Sequence, residues 1–206
     1  MDIADRLNRA LRAIPPWAVY LLGLIPLLLL VWRGVMGDLG TDPVREVEHS
    51  LGKTGLQFLL GGLLITPVRR WAGVNLLRYR RAIGLIAFFY VTLHFLVWIL
   101  LDLQLRWAEI GADLVKRPYI ILGMIGFAAM IPLAVTSNNW SIRRMGAQAW
   151  ARLHKLVYVA AIAGAAHYLI LVKAWPREPI LYALAAVILV AMRLFWLSRR
   201  AATRRA

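Results

Sequence analysis

Residues 152–170 have the sequence RLHKLVYVAAIAGAAHYLI, an almost uncharged run that carries two histidines, His154 and His167. A run of ~20 apolar residues is what a helix needs to cross ~30 Å of hydrocarbon. Ionisable side chains are costly inside a membrane span and usually serve binding or transport there. The stretch therefore predicts a transmembrane helix in which the imidazoles have a function.

The composition of the whole chain is that of a membrane protein. Of its 206 residues 61% are hydrophobic, and the charged residues stand in short clusters between long apolar runs. The net charge of +15 comes from basic residues that flank these runs rather than line one face, which argues against nucleic-acid binding. The chain has no cysteine, so disulfides, thiolate-ligated iron–sulfur clusters and cysteine nucleophiles are excluded.

The predicted fold is an all-α, polytopic membrane bundle of six transmembrane helices, forming one domain over residues 1–206. Residues 1–16 are expected to be a charged amphipathic lead-in that is retained rather than cleaved, and residues 198–206 a basic tail. No internal repeat is evident. The predicted spans are Trp17–Trp32, Leu51–Val68, Ala82–Leu101, Tyr119–Thr136, Leu153–Val172 and Ile180–Leu197.

Basic residues predict the orientation of these spans. One side of the membrane would carry 16 of them: Arg6, Arg9, Arg12, Arg69, Arg70, Arg78, Arg80, Arg81, Arg143, Arg144, Arg152, Lys155, Arg199, Arg200, Arg204 and Arg205. The other side would carry eight: Arg33, Arg45, Lys53, Arg106, Lys116, Arg117, Lys173 and Arg177. Because positive charge stays inside, both termini are expected in the cytoplasm.

The depth of the histidines predicts which of them meet. His94 lies 12 residues into the third span and His167 14 residues into the fifth, which is about 18 Å and about 21 Å at 1.5 Å per residue. The two helices run in the same direction, so the two imidazoles are expected to be level. A planar cofactor between opposed imidazoles fits this placement, and haem b fits best. Two axial imidazoles leave no open position on the iron, which indicates electron transfer.

The ionisable and aromatic residues of the spans also limit the possible functions. Deep Asp, Glu and Lys residues are absent from the six predicted spans, so a carboxylate proton relay or a cation-coupled transporter has few groups to use. The alternative function is a non-redox membrane protein, such as a metal-ion carrier or an assembly anchor, in which the imidazoles bind a metal or pack. Aromatic residues near the histidines are expected mainly to pack: Phe88, Phe89, Tyr90, Phe95, Trp98, Tyr158 and Tyr168.

Several motifs resemble a known family along nearly the whole chain. They occur in the expected order: DPVREVEH (42–49), LLITP (63–67), RRAIGLIAFFYVTLHF (80–95), KRPYIILGMIGF (116–127) and RLHKLVY (152–158). On these residues the chain resembles the MsrQ (YedZ) family. Its members are haem-binding membrane subunits of periplasmic methionine sulfoxide reductase systems, and their core is similar to that of ferric reductases and NADPH oxidases.

The resemblance implies a redox subunit rather than a catalytic one, located in the bacterial inner membrane. Electrons would pass from the quinone pool or a cytoplasmic flavin reductase to a periplasmic, molybdenum-containing methionine sulfoxide reductase subunit that repairs oxidised proteins. The implied cofactors are haem b and flavin mononucleotide (FMN), and the implied haem ligands are His94, His154 and His167.

His154 cannot coordinate the same iron as His167, because 13 residues separate them, which is about 20 Å along a helix. The larger relatives usually supply a second histidine near the cytoplasmic side of the third helix, where this chain has Arg80 and Arg81. Three interpretations of His154 stay open: an inner haem with an unusual second ligand, contact with a quinone or flavin, or an interface position. His49 is expected to be an interface or docking residue.

Anionic groups of a flavin or haem need cations near the inner surface. The candidates are Arg78, Arg80, Arg81 and Arg144, since the guanidinium fork suits carboxylates and phosphates. The chain has no glycine-rich loop of the dinucleotide type, so the sequence does not locate the flavin site.

Overall fold

The chain folds into a bundle of helices. A computed structural model describes residues 3–172 and 176–202, and six helical segments of this part are long and apolar enough to cross a membrane. The predicted fold class is thereby confirmed. Lys173, Arg204 and Arg205, which entered the predicted charge pattern, lie outside the described residues. The helices are α1 Ile3–Ala13, α2 Pro16–Val35, α3 Pro43–Trp71, α4 Arg80–Val97, α5 Trp107–Lys116, α6 Pro118–Val135, α7 Asn139–Met145, α8 Ala147–Leu153, α9 Leu156–Leu171 and α10 Arg177–Ala202.

The second span begins earlier than predicted, at Pro43 rather than Leu51. Asp42 caps the helix, because its carboxylate accepts a hydrogen bond of 3.1 Å from the backbone N–H of Arg45. Pro43 takes the first helical position, where its missing N–H costs nothing. His49 therefore lies in the second turn of α3 and not at its end.

The fifth span is not the single helix that was predicted over Leu153–Val172. Two helices, α8 and α9, meet at His154 and Lys155. Around this junction the backbone bonds are of the tighter i to i+3 kind, with Lys155 N–H donating to the carbonyl of Arg152 at 3.1 Å. His154 thus occupies a break between two helices rather than a place inside one.

Two antiparallel helix pairs form the centre of the bundle: α3 packs along α4, and α6 packs along α9. One end of the bundle carries the first turns of α3 and α6 and the last turns of α4 and α9. We call it the far end, and the end that carries α1 the near end. The buried core lies between the pairs and includes Leu63, Ala87 and Ala161.

The peripheral helix α2 contains Pro26, which lacks an N–H for the helical ladder. The hydroxyl of Tyr90, on α4, enters the ladder beside it. This hydroxyl donates to the carbonyl of Gly23 at 2.7 Å and accepts from the N–H of Leu27 at 3.0 Å. Tyr90 is only 1% exposed, so it satisfies two backbone groups that water does not reach.

The lead-in forms the amphipathic helix α1, which is docked on the loop between α3 and α4 at the near end. The side-chain amide of Asn8 donates to the carbonyl of Gly73 at 3.0 Å and accepts from the N–H of Asn75 at 2.8 Å. The hydroxyl of Tyr79 contacts the carbonyls of Leu11 and Ile14. The two contacts of Tyr79 satisfy carbonyl groups at the end of α1 that have no partner within the helix.

Candidate cofactor site

The imidazoles of His94 and His167 face each other at the far end. His94 lies in the last turn of α4 and His167 near the end of α9. Their ring centroids are 6.1 Å apart and their planes cross at 72°. The two histidines are level in the bundle, as their distances from the span starts predicted.

Each of these rings makes the same hydrogen bond to a neighbouring helix. His94 Nδ1 lies 2.8 Å from the carbonyl oxygen of Glu48 on α3, and His167 Nδ1 lies 2.7 Å from the carbonyl oxygen of Tyr119 on α6. A carbonyl oxygen only accepts, so both Nδ1 atoms carry the proton. Both Nε2 atoms are then left with a lone pair, which is the state in which imidazole binds a metal.

Glycines make room for both rings. An added Cβ at Gly52 would lie 3.0 Å from His94 Nδ1, and an added Cβ at Gly123 would lie 3.0 Å from His167 Nδ1. Contacts that short are tighter than ordinary van der Waals packing. Each ring therefore lies flat against a helix at a position where a side chain would displace it.

The pair fits the dimensions of an iron held between two imidazoles. Two metal–nitrogen bonds of about 2 Å, with about 1.1 Å from each nitrogen to its ring centre, place the ring centres about 6 Å apart. The observed separation is 6.1 Å. In residues 3–172 and 176–202 no group of three His, Cys, Asp or Glu side chains converges to hold a metal ion. A porphyrin needs only two protein ligands, because it brings four nitrogens of its own.

His154 is engaged elsewhere. Its Nε2 lies 3.0 Å from the hydroxyl of Thr136, and that hydroxyl already donates its proton to the carbonyl of Pro132 at 2.6 Å. The hydroxyl must therefore accept, and Nε2 of His154 carries the proton. The ring also stacks on Trp150 with centroids 3.8 Å apart. His154 lies near the Arg80 guanidinium, which acts on it electrostatically.

The predicted arginines lie at the near end and do not converge on the histidine pair. Arg80 begins α4, which puts it about 21 Å along that helix from His94. Arg78 donates to the carbonyl of Arg12 at 2.8 Å, Arg81 donates to the side chain of Asn139 at 2.8 Å, and Arg144 lies over the Trp140 ring.

Most of the aromatic residues near the histidines pack, as expected. Phe88 and Phe95 on α4 stack on Phe127 of α6, with centroids 5.9 and 5.0 Å apart. Tyr168 packs against Tyr182 of α10. These contacts tie α4 to α6 and α9 to α10 beside the two imidazoles.

Gly52 and Gly123 were missed as site residues. Both helices carry an acceptor carbonyl, a glycine four residues later and another glycine three residues after that: Glu48, Gly52 and Gly55 on α3, and Tyr119, Gly123 and Gly126 on α6. The sequence signal for this arrangement is short: two glycines three residues apart occur on α3, and two more with the same spacing occur 71 positions later on α6.

The fold and the pair define a class, the polytopic helical membrane proteins that present two opposed imidazoles inside the bundle. A family model described as "Ferric reductase like transmembrane component" matches residues 50–165, which is more than half of the chain. The chain therefore belongs to the ferric reductase-like transmembrane family.

Curated relatives sharpen this assignment. Proteins of Brucella ovis, Brucella canis and Brucella melitensis biotype 2 are each 48% identical to this chain over 178 residues, covering 86% of the chain and 80% of the relative. Each of them is named protein-methionine-sulfoxide reductase heme-binding subunit MsrQ. The resemblance to the MsrQ family that the motifs predicted is thereby confirmed.

Proposed function

We propose that this chain is the haem-binding, electron-transferring membrane subunit of a methionine sulfoxide reductase system. In this proposal residues 1–206 form one ferric reductase-like transmembrane domain in the bacterial inner membrane. The observation that carries it is the pairing of His94 with His167, whose rings are 6.1 Å apart with both Nδ1 protons directed to backbone carbonyls. The similarity to proteins named as heme-binding subunits supports the same assignment.

The bound group would be haem b, which supplies a one-electron couple inside the bundle. His94 and His167 would hold this haem through their Nε2 atoms, and the haem would supply electron transfer. The carbonyls of Glu48 and Tyr119 hold each ring in the tautomer that leaves Nε2 unprotonated. The residues around the site thus favour electron transfer over chemistry at the metal.

The direction of transfer follows from the proposed orientation. With both termini in the cytoplasm, the histidine pair lies in the outward half of the membrane and His154 near the inner surface. Electrons would then enter at the near end from the quinone pool or a cytoplasmic flavin reductase. They would leave at the far end to a periplasmic, molybdenum-containing methionine sulfoxide reductase subunit.

FMN is part of this proposal through the family resemblance, and its site would be at the near end. Arg80 is the candidate cation whose charge acts on His154, so it would hold an anionic group near that ring. Arg78 and Arg81 already donate to Arg12 and Asn139. His154 would serve this inner region and not the outer pair, since its Nε2 proton goes to Thr136.

A spectrum of the purified protein tests the proposal. After expression in haem-replete cells, the preparation should be coloured and should sharpen its visible bands on reduction with dithionite. A pyridine haemochrome assay should identify b-type haem and give its amount per polypeptide. A colourless preparation would instead favour the non-redox alternative, a metal-ion carrier or assembly anchor.

A further inference from the structure

The two halves of the histidine site are built by the same local arrangement on different helix pairs. His94 lies against Gly52, and its Nδ1 bonds to the carbonyl four residues before that glycine. His167 lies against Gly123, and its Nδ1 also bonds to the carbonyl four residues earlier. The distances agree within 0.1 Å for the hydrogen bonds, at 2.8 and 2.7 Å, and both Cβ approaches would be 3.0 Å.

A second glycine on each helix extends the match by one turn. A Cβ at Gly55 would lie 3.2 Å from the backbone nitrogen of Val91, the residue three before His94. A Cβ at Gly126 would lie 3.5 Å from the backbone nitrogen of Gly164, three before His167. One turn from each imidazole, the helices of both pairs thus again pack against each other at a glycine.

We propose that Gly52 and Gly123 are matched positioning residues that set the planes of the His94 and His167 imidazoles and hold them crossed. This inference rests on the proposed function, because the consequence appears when iron is bound between the rings. Each ring is confined on one face by the glycine and at its Nδ1 edge by the carbonyl oxygen. A ring that moves away from an added methyl group must lengthen or bend that hydrogen bond.

The angle between the planes matters for the electronic state of an iron held by two imidazoles. Parallel rings donate π-electron density into the same iron d orbital and separate two d levels in energy. Crossed rings donate into different orbitals, so those levels stay close together and the ferric g values become strongly anisotropic. The observed angle of 72° is close to crossed. The glycines would therefore control the electron paramagnetic resonance (EPR) spectrum and the midpoint potential.

Alanine substitutions separate this role from packing in general. We expect Gly52→Ala and Gly123→Ala to keep haem while shifting the largest ferric g value and the midpoint potential relative to the parent. Gly61→Ala is the matched control on α3, because a Cβ there meets nothing within 4 Å. Gly84→Ala is a second control, on α4, because a Cβ there also meets nothing within 4 Å. Both controls should retain the parent spectrum.

A larger side chain gives a graded test. Gly52→Val and Gly123→Val should displace the ring and lower the haem content well below that of the alanine variants. Alanine favours helix over glycine, so the alanine variants are expected to fold, and size-exclusion chromatography checks this. An alanine variant that elutes like the parent but lacks haem, with both controls loaded, would also support the assignment.

The inference and the proposed function fail in different ways. Haem-loaded Gly52→Ala and Gly123→Ala proteins with the EPR spectrum and potential of the controls would overturn the positioning role and leave the proposed function intact. A parent protein that never binds haem would overturn the proposed function itself.

Discussion

The imidazoles of His94 and His167 stand 6.1 Å apart with their planes crossed at 72°, although they belong to different helix pairs. His94 lies in the last turn of α4 and His167 near the end of α9, and the partner of each helix begins at that same end of the bundle. The partner helix supplies the carbonyl that orients the ring and the glycine that makes room for it. Two separate pairs, α3 with α4 and α6 with α9, thus each provide half of one cofactor site.

Replacing His154 should leave the outer site intact. His154 bonds to Thr136 and stacks on Trp150, away from the pair. In His154→Ala we therefore expect the haem bound by His94 and His167 to remain, with its reduced spectrum and EPR signal unchanged. We expect this variant to lose a different spectral component or none. The measurement is haem per polypeptide with the difference spectrum; complete loss of pigment would show that His154 belongs to the same site.

The Tyr90 hydroxyl should stabilise α2 beside Pro26. In Tyr90→Phe the carbonyl of Gly23 and the N–H of Leu27 lose a partner in a buried place, which costs about 1–3 kcal/mol. The melting temperature in detergent should fall by about 2–4 °C for each kcal/mol lost. In a Pro26→Ala background the helical ladder can close, so the same substitution should cost less. An equal cost in both backgrounds would show that the role of the hydroxyl does not depend on Pro26.

Helix α1 should loosen when Asn8 is truncated. Asn8→Ala removes two hydrogen bonds to the loop after α3, those to Gly73 and Asn75, each worth about 1 kcal/mol. Hydrogen–deuterium exchange of residues 3–13 should then accelerate, by about tenfold for a loss of 1.4 kcal/mol in local opening. Arg6→Gln on the same helix is the control. Unchanged exchange in Asn8→Ala would mean that α1 is held by other contacts.

The proposed orientation predicts the behaviour of reporter fusions. With both termini in the cytoplasm, green fluorescent protein at the C-terminus should fluoresce and alkaline phosphatase there should be inactive. Phosphatase fused in the loop between α2 and α3 should be active, because the proposed orientation puts that loop in the periplasm. The opposite pattern would reverse the proposed direction of electron transfer.

The six membrane spans were predictable because each is a long apolar run, whereas the short helices α5 and α7 were not predicted. The ends of the spans were harder to predict. Asp42 and Pro43 extend α3 well beyond its apolar part, since capping and the first-turn proline stabilise a helix end that is polar. The break at His154 was not predicted, because the residues beside it, Arg152, Leu153 and Lys155, include no proline or glycine that would mark a helix end.

The histidine pair could be predicted from depth alone, since a rise of 1.5 Å per residue places both rings at one level. The groups that orient the rings could not. The partner of each Nδ1 is a backbone carbonyl, which every residue has, so the identities of Glu48 and Tyr119 carry no signal for it. Gly52 and Gly123 do carry one, but their role becomes visible only when the helices are packed.

The central claim is that His94 and His167 together hold one haem. The most direct test is the haem content and dithionite-reduced spectrum of His94→Ala and His167→Ala, with His49→Ala as the control from the adjoining turn of α3. We predict that each of the first two variants loses the same spectral component, because either imidazole alone leaves the iron half-ligated, and that His49→Ala keeps it. Retention of that component at the parent level in either His94→Ala or His167→Ala would contradict the claim.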